Sequence, residues 1–287
     1  MPQATFFFSI ESPYFAKKKT LKTVFDIRSL HELGNEHTLL LEVGKDYCSY
    51  AFLHRPGKRI DRLQYTSFDS LEMEEQFPQI VHFLTEFSVS DVVLCSAFPQ
   101  ALLVPNKFFN ENYSYLDVVY EQPAQKYFHD NISEWQMVNM YALSKSLHNH
   151  IQSSFSSVSY YHAYTPAIKI FNGHAADNQL SVHFTAQHFR VLLKKDMVIH
   201  LAQTYYYKTS LDVIYYLLKI CFEFHLSQQH VHLILSGLIE KDSNLFNDLK
   251  QYFSHVHFAQ APELSLPENQ YPHYYFTSIY NLAACVS

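Results

Sequence analysis

The stretch from Thr38 to Cys95 is written twice in this chain. It reads Leu39-Leu40-Leu41-Glu42-Val43, a turn at Gly44-Lys45-Asp46, Tyr47 to Leu53, a turn at His54-Arg55-Pro56-Gly57, then Ile60 to Phe68. β-prone apolar runs separated by turn residues predict three antiparallel strands in a meander. The order returns as Gln179 to Phe184, a turn at Thr185-Ala186-Gln187, His188 to Leu193, a turn at Lys194-Lys195-Asp196 and Met197 to Tyr205. A helix-spaced stripe follows each meander. The first is Ile80, Phe83, Leu84 and Phe87 after Pro78, behind Asp69 and Glu72 at capping-box spacing, and the second is Leu211, Ile214, Tyr215, Leu218 and Phe222 from Ser210. Each stripe leads to a short continuous apolar run, Val92-Val93-Leu94-Cys95 and His232-Leu233-Ile234-Leu235, of the kind a buried parallel strand shows. Positions 42 and 183, like positions 93 and 234, are 141 residues apart. A chain of 287 residues duplicated at that distance is constrained to two folded units of one topology.

Both halves continue in α/β alternation. Ser133 with Gln136 predicts the start of a helix carrying Met140, Leu143, Leu147 and Ile151, and Leu245, Leu249 and Tyr252 follow Asp242 in the second half. Strands are predicted at Ser157 to His162 and His255 to Phe258. The order β-β-β-α-β-α-β is that of the ribonuclease H-like fold, so the fold class is α/β, with two such domains in tandem. The polar, aperiodic segment Phe171 to Asn178 divides them into residues 1–172, with an N-terminal extension, and 173–287.

Two ribonuclease H-like domains in one chain resemble the actin-like ATPase superfamily. Three segments carry a closer likeness: Leu103-Val104-Pro105-Asn106-Lys107-Phe108-Phe109, Asp212-Val213-Ile214-Tyr215-Tyr216-Leu217-Leu218 and Leu235-Ser236-Gly237. With them the chain resembles, from about Thr38 onward, the uncharacterised bacterial domain of unknown function 3822 family, to which an actin-like ATPase fold is assigned. The superfamily resemblance implies ATP with Mg²⁺ between the domains, held by two Asp-x-Gly hairpin turns and an adenosine-side Gly-Gly. The carboxylate would order metal-bound water, and glycine would let backbone N–H groups reach phosphate oxygens. At the matching positions this chain has Glu42-Val43-Gly44, with Glu for Asp and Lys45 for a small hydroxyl residue, and His183-Phe184-Thr185, with neither carboxylate nor glycine. Leu235-Ser236-Gly237 keeps one glycine of two. The vestigial cleft is therefore assigned to Glu42, Gly44, Lys45, Asp46, Ser236 and Gly237.

Composition narrows the chemistry further. Five glycines in the whole chain leave little for phosphate-cradling loops, and a net charge of −6 argues against a nucleic-acid surface spread over the molecule. A ribonuclease H-like nuclease needs acids on several strands, and apart from Glu42 and Asp46 the buried runs Val92 to Cys95 and Leu233 to Leu235 carry none. His230, His232, His255 and His257 fall on neighbouring strands but have no carboxylate or cysteine at ligand spacing, so a solvated His-x-His face explains them better than a metal. His148-Asn149-His150 is weaker, since residues two apart on a helix diverge. Lys17-Lys18-Lys19 with Lys22 is the one basic run, a solvated segment unless it contacts RNA. Tyr160-Tyr161, Tyr205-Tyr206-Tyr207 and Tyr274-Tyr275 are expected in the core and its rim. Four scattered cysteines, no leader-like N-terminus and no apolar run of membrane length place the chain in the cytoplasm by elimination. The reading is a non-catalytic actin-like pseudoenzyme working through an unidentified protein partner, with no cofactor. The alternative is a divergent ATPase or sugar-kinase-like enzyme using ATP and Mg²⁺.

Overall fold

Phe25 and Ile27 alternate with Asp26 and Arg28, and this period of two makes a strand not expected from the sequence, β1 (Lys22–Arg28). In the computed structural model, which describes residues 22–68, 73–111, 115–120, 125–171, 177–260 and 263–286, β1 pairs antiparallel with the outer strand of the first meander. That meander is β2 (His37–Val43), β3 (Tyr47–His54) and β4 (Arg59–Ser67), as expected. α1 (Met73–Leu84) begins before Pro78 and contains it, and Phe87 lies beyond its end. The capping pair Asp69 and Glu72 is outside the described residues. Phe77, Ile80, Val81 and Leu84 bury the inner face of α1 against Leu39, Leu41 and Val43. β5 (Asp91–Ser96) then pairs parallel with β2, Cys95 opposite Glu42.

An antiparallel sheet of three strands, absent from the sequence reading, interrupts the first half. β6 (Ala101–Pro105) leads through α2 (Tyr115–Val119) to β7 (Gln125–Ile132) and β8 (Met137–Ser144), in the order β6-β8-β7. The helix expected from Ser133 is corrected here: Met140 and Leu143 lie on β8, and α3 (Lys145–Ser154) starts at Ser144, whose hydroxyl accepts the Leu147 N–H. β8 has a strand on each side and is buried from Val138 to Leu143, so its nearly continuous apolar text matched a helical spacing that runs on into α3. β9 (Val158–His162) and α4 (Tyr164–Ile170) complete the half.

The second half repeats the topology with β10 (Gln179–Phe184), β11 (His188–Lys195), β12 (Val198–Tyr206), α5 (Ser210–Glu223), β13 (His232–Gly237), α6 (Asn244–Tyr252) and β14 (His255–Phe258). The sheets run β1-β4-β3-β2-β5-β9 and β12-β11-β10-β13-β14. Their registers agree across the duplication, with His183 opposite Ser236 as Glu42 is opposite Cys95. α5 corrects three of the five positions in the stripe read from the sequence, since Ile214 and Leu218 do pack inward. Leu211, Tyr215 and Phe222 are 67%, 60% and 81% exposed, while Val213, Ile214, Leu217, Ile220 and Cys221 face the sheet. The helix is apolar nearly all round, and its Thr209–Asp212 capping box and its packing choose the phase. Of the seven clustered tyrosines, Tyr206 alone is classed as exposed.

A last helix, α7 (Thr277–Val286), crosses back to the first sheet, where Ile279, Tyr280, Leu282 and Ala283 join Leu40, Ala51, Leu53 and Val93 in one core. α4 makes the reverse crossing, its Tyr164 and Ile168 packing with Leu192 and Ile199 of the second sheet. Each half thus contributes a helix to the core of the other. The Asp130 carboxylate ties the inserted sheet to this crossing: it accepts hydrogen bonds from the Thr165 hydroxyl at 2.6 Å, the His162 N–H at 2.9 Å and the Tyr141 hydroxyl at 3.2 Å. Burial raises this carboxyl to about 6 in spite of those donors. From about pH 4 to about pH 6 the folded chain therefore keeps a proton that the unfolded chain has lost, so this group makes stability fall as pH rises through that window. Urea denaturation of Asp130→Asn across that range is expected to show this component removed, and an unchanged slope would show Asp130 ionised throughout.

Candidate functional site

The two equivalent hairpin turns are built alike. The Gly44 N–H donates to the Tyr47 carbonyl at 3.0 Å and the Thr185 N–H to the His188 carbonyl at 2.8 Å. The turns meet directly. Asp46 Oδ2 accepts the Gln187 backbone N–H at 2.8 Å and the Thr185 hydroxyl at 3.0 Å. Asp46 and Gln187 are duplication mates, 141 residues apart. A second junction lies one strand turn deeper. Glu42 Oε1 accepts from Arg190 Nη2 at 3.1 Å and from the Tyr47 hydroxyl, while its Oε2 accepts from the Ser278 hydroxyl on α7. Arg190 Nη2 also reaches Ser278 Oγ at 2.9 Å. Burial opposes the Arg190 charge, but Tyr47 and Glu42 beside it hold its pKa above the ordinary value. Burial and Arg190 together push His183 well below its usual value, so it is neutral.

The six residues assigned from sequence are divided by this arrangement. Glu42 and Asp46 come together at the junction of the halves, both buried and both occupied by second-half donors. Lys45 is exposed. Gly44 sits under an aromatic ring, since a Cβ there would stand 2.6 Å from Tyr47 Cε1. Gly237 has φ +76°, and a Cβ would fall 2.1 Å from the Phe184 carbonyl oxygen, so the close pairing of β13 with β10 accounts for this glycine. Ser236 bonds to His183 Nδ1 at 3.0 Å. Voids of about 10 Å³ remain beside Asp46 and Thr185 and beside Glu42 and Ser278, room for about one water each. A larger cavity of about 240 Å³ lies between the second sheet, α4 and α7; Ser236 lines it, and neither Glu42 nor Gly237 does.

Arg190 and Ser278 were not singled out from sequence, and Thr185 entered only as part of a turn lacking the nucleotide motif. Arg190 had a signal, being the one arginine after Arg62 and standing inside the apolar run Phe189 to Leu193. Ser278 had none. His232, His255 and His257 do stack, with centroids 4.8 and 5.9 Å apart, but no group of three metal-ligating side chains forms among the described residues. Lys17 to Lys19 lie outside the described residues, and Lys22 is exposed. No helix among the described residues is long and apolar enough to cross a membrane.

A family model described as "Protein of unknown function (DUF3822)" matches residues 31–256. The chain belongs to this family. Among curated proteins none matches it in sequence. Solved structures agree on the fold: a Bacteroides thetaiotaomicron protein described as having an actin-like ATPase fold and unknown function superposes with TM-score 0.73 at 16% identity, covering 88% of this chain and 97% of that one. A chain of the PilM–PilN type IV pilus biogenesis complex gives TM-score 0.55 at 11% identity, covering 86% and 98%. This DUF3822 chain is thus an actin-like fold of two ribonuclease H-like halves, as its sequence resemblance implied.

Two outcomes follow from the junction. Glu42→Ala leaves Arg190 buried without its carboxylate and is expected to cost about 3–5 kcal/mol, whereas Glu42→Gln combined with Arg190→Met recovers most of that loss in denaturant titrations. Gly237→Ala, forced against the Phe184 carbonyl at positive φ, is expected to destabilise by more than about 1 kcal/mol, read as a lower thermal midpoint.

Proposed function

We propose that this protein is a non-catalytic, actin-like pseudoenzyme that acts through protein contacts, with its degenerate nucleotide cleft turned into an internal latch. One observation carries the reading: the backbone N–H and hydroxyl of the second turn, the donors that would face phosphate oxygens in a nucleotide enzyme of this fold, are taken by the Asp46 carboxylate. An intramolecular anion stands where a ligand's would. Glu42, the residue at the metal-water position, is spent on Arg190 and Ser278. Bringing in ATP with Mg²⁺ would require both junctions to open and would set phosphate charge against two buried carboxylates. Exposed Leu211, Tyr215 and Phe222 along α5 add apolar surface of the kind protein contacts use. The PilM–PilN complex shows a protein of similar fold described as part of an assembly. We place the protein in the cytoplasm, in keeping with its free thiols at Cys48, Cys95, Cys221 and Cys285.

Isothermal titration with ATP and Mg²⁺ tests this directly. No binding tighter than about 100 μM is expected; tighter binding, weakened by Asp46→Asn or Glu42→Gln, would establish the ATPase or kinase-like alternative.

A further inference from the structure

α1 and α5 are the same helix of the repeated topology, and their solvent faces differ. α1 exposes Glu75, Gln79 and His82, in steps of four and three residues. α5 carries Leu211, Tyr215, Leu218 and Phe222 in steps of four, three and four, with Leu218 half-buried and the other three exposed. The topology therefore does not require an apolar face at this place. Steps of four and three are the a/d period of a helix that packs on another helix, so these four residues make a continuous seam along α5. The two flanks of the seam are unlike. Ile214 and Cys221 on one side are buried against the sheet, whereas Asp212 and Lys219, seven residues apart, lie on the side away from it. Asp212 caps the helix through Oδ2, which accepts from the Lys208 and Thr209 N–H groups and from the Thr209 hydroxyl. Those donors hold its carboxyl below the usual carboxylate range, so the charge is fixed at the start of α5.

We propose that α5 pairs antiparallel with α5 of a second copy of this chain, in a two-fold symmetric dimer. An axis passing between Tyr215 and Leu218 sets Tyr215 against the second copy's Leu218 and Leu211 against its Phe222, so every seam residue meets an apolar one. The same operation brings Asp212 of each copy beside Lys219 of the other, giving two opposite-charge pairs along the outer flank. This complementarity selects the occupant. A surface apolar along its middle, with an acid and a base exchanged by the two-fold axis, fits itself; a parallel pairing would carry both Asp212 carboxylates to one end and both Lys219 ammonium groups to the other. Two aromatics of roughly 150–250 Å² each and a leucine from either copy bring the contact close to the total of about 1,000 Å² at which specific interfaces begin, so the dimer is a reversible one of micromolar strength. The inference rests on the reading of α5 as a protein-contact face and names the protein. α5 packs on the face of the second sheet opposite α4, so pairing leaves the junction of the halves as it is.

Sedimentation velocity on the full chain from about 1 to about 100 μM tests the inference and is expected to show a concentration-dependent monomer–dimer equilibrium. Phe222→Glu, at a position 81% exposed, is expected to fold with an unchanged thermal midpoint in dilute solution and to stay monomeric throughout. Lys219→Glu, which sets like charges against Asp212 at both ends of the seam, is expected to weaken the dimer about tenfold. Cross-linking reads the orientation. Leu211→Cys chains mixed with Phe222→Cys chains are expected to form an intermolecular disulfide under mild oxidation, with the unaltered chain as the control for the native thiols. Neither variant is expected to do so alone, because antiparallel pairing holds equal positions at the helix ends about 16 Å apart, beyond disulfide reach. A monomer at about 100 μM, a dimer unaffected by Phe222→Glu, or cross-linking of either variant with itself would each overturn the proposal. None of these outcomes bears on the ATP titration, so the two readings fail separately.

Discussion

The fold depends on two carboxylates that cross from one half of the molecule to the other. Asp46 closes the gap between the hairpin turns by accepting from Gln187 and Thr185, and Glu42 closes the layer beneath by pairing with Arg190. Both lie out of water, and each is held by donors of the opposite half, with the Tyr47 hydroxyl adding one from the same half at Glu42. Removing one partner strands a buried charge. The halves are therefore coupled by polar groups as well as by apolar packing, and the two equivalent turns are fixed at hydrogen-bonding distance.

The exchange of helices reinforces this coupling. α7 packs with Leu40, Ala51 and Val93 of the first sheet, and α4 with Leu192 and Ile199 of the second, so neither sheet has a complete core without the other half. Ser278 links the two devices, since it stands on α7 and bonds to both Glu42 and Arg190. Hinged opening of the cleft would have to break these contacts at once. In this chain the Asp46 and Thr185 side chains occupy the space between the turns.

Much of the topology was legible in the sequence, because alternating and continuous apolar runs report burial on one or two faces and the 141-residue repeat reports their order. Both meanders, the parallel strands β5, β9, β13 and β14 and the existence of α1, α5 and α6 could be read this way. Errors arose where burial on all sides erases the period. β8 is buried from Val138 to Leu143 and passed for the start of α3, and α5 is apolar nearly all round, so the stripe read from the sequence mixed Ile214 and Leu218, which pack inward, with the exposed Leu211, Tyr215 and Phe222. β1 carried a proper alternation in Phe25 and Ile27 but stood outside the repeated text.

For the site, the sequence by itself determined which residues are missing, because a phosphate-binding turn needs particular residue types and Thr185-Ala186-Gln187 lacks them. It also placed Glu42 and Asp46 at the first hairpin turn and Ser236 at the end of a buried strand. What it could not determine was their use. That Asp46 meets its own duplication mate, that Arg190 reaches Glu42 from 148 residues away, and that Ser181 and Ser236 face a cavity while Leu40 and Cys95 face a filled core depend on how the two halves are set against each other. Local text records the period and chemistry of one strand; only the tertiary structure brings a donor on one sheet to an acceptor on another, because the distance between them is set by packing that involves the whole chain.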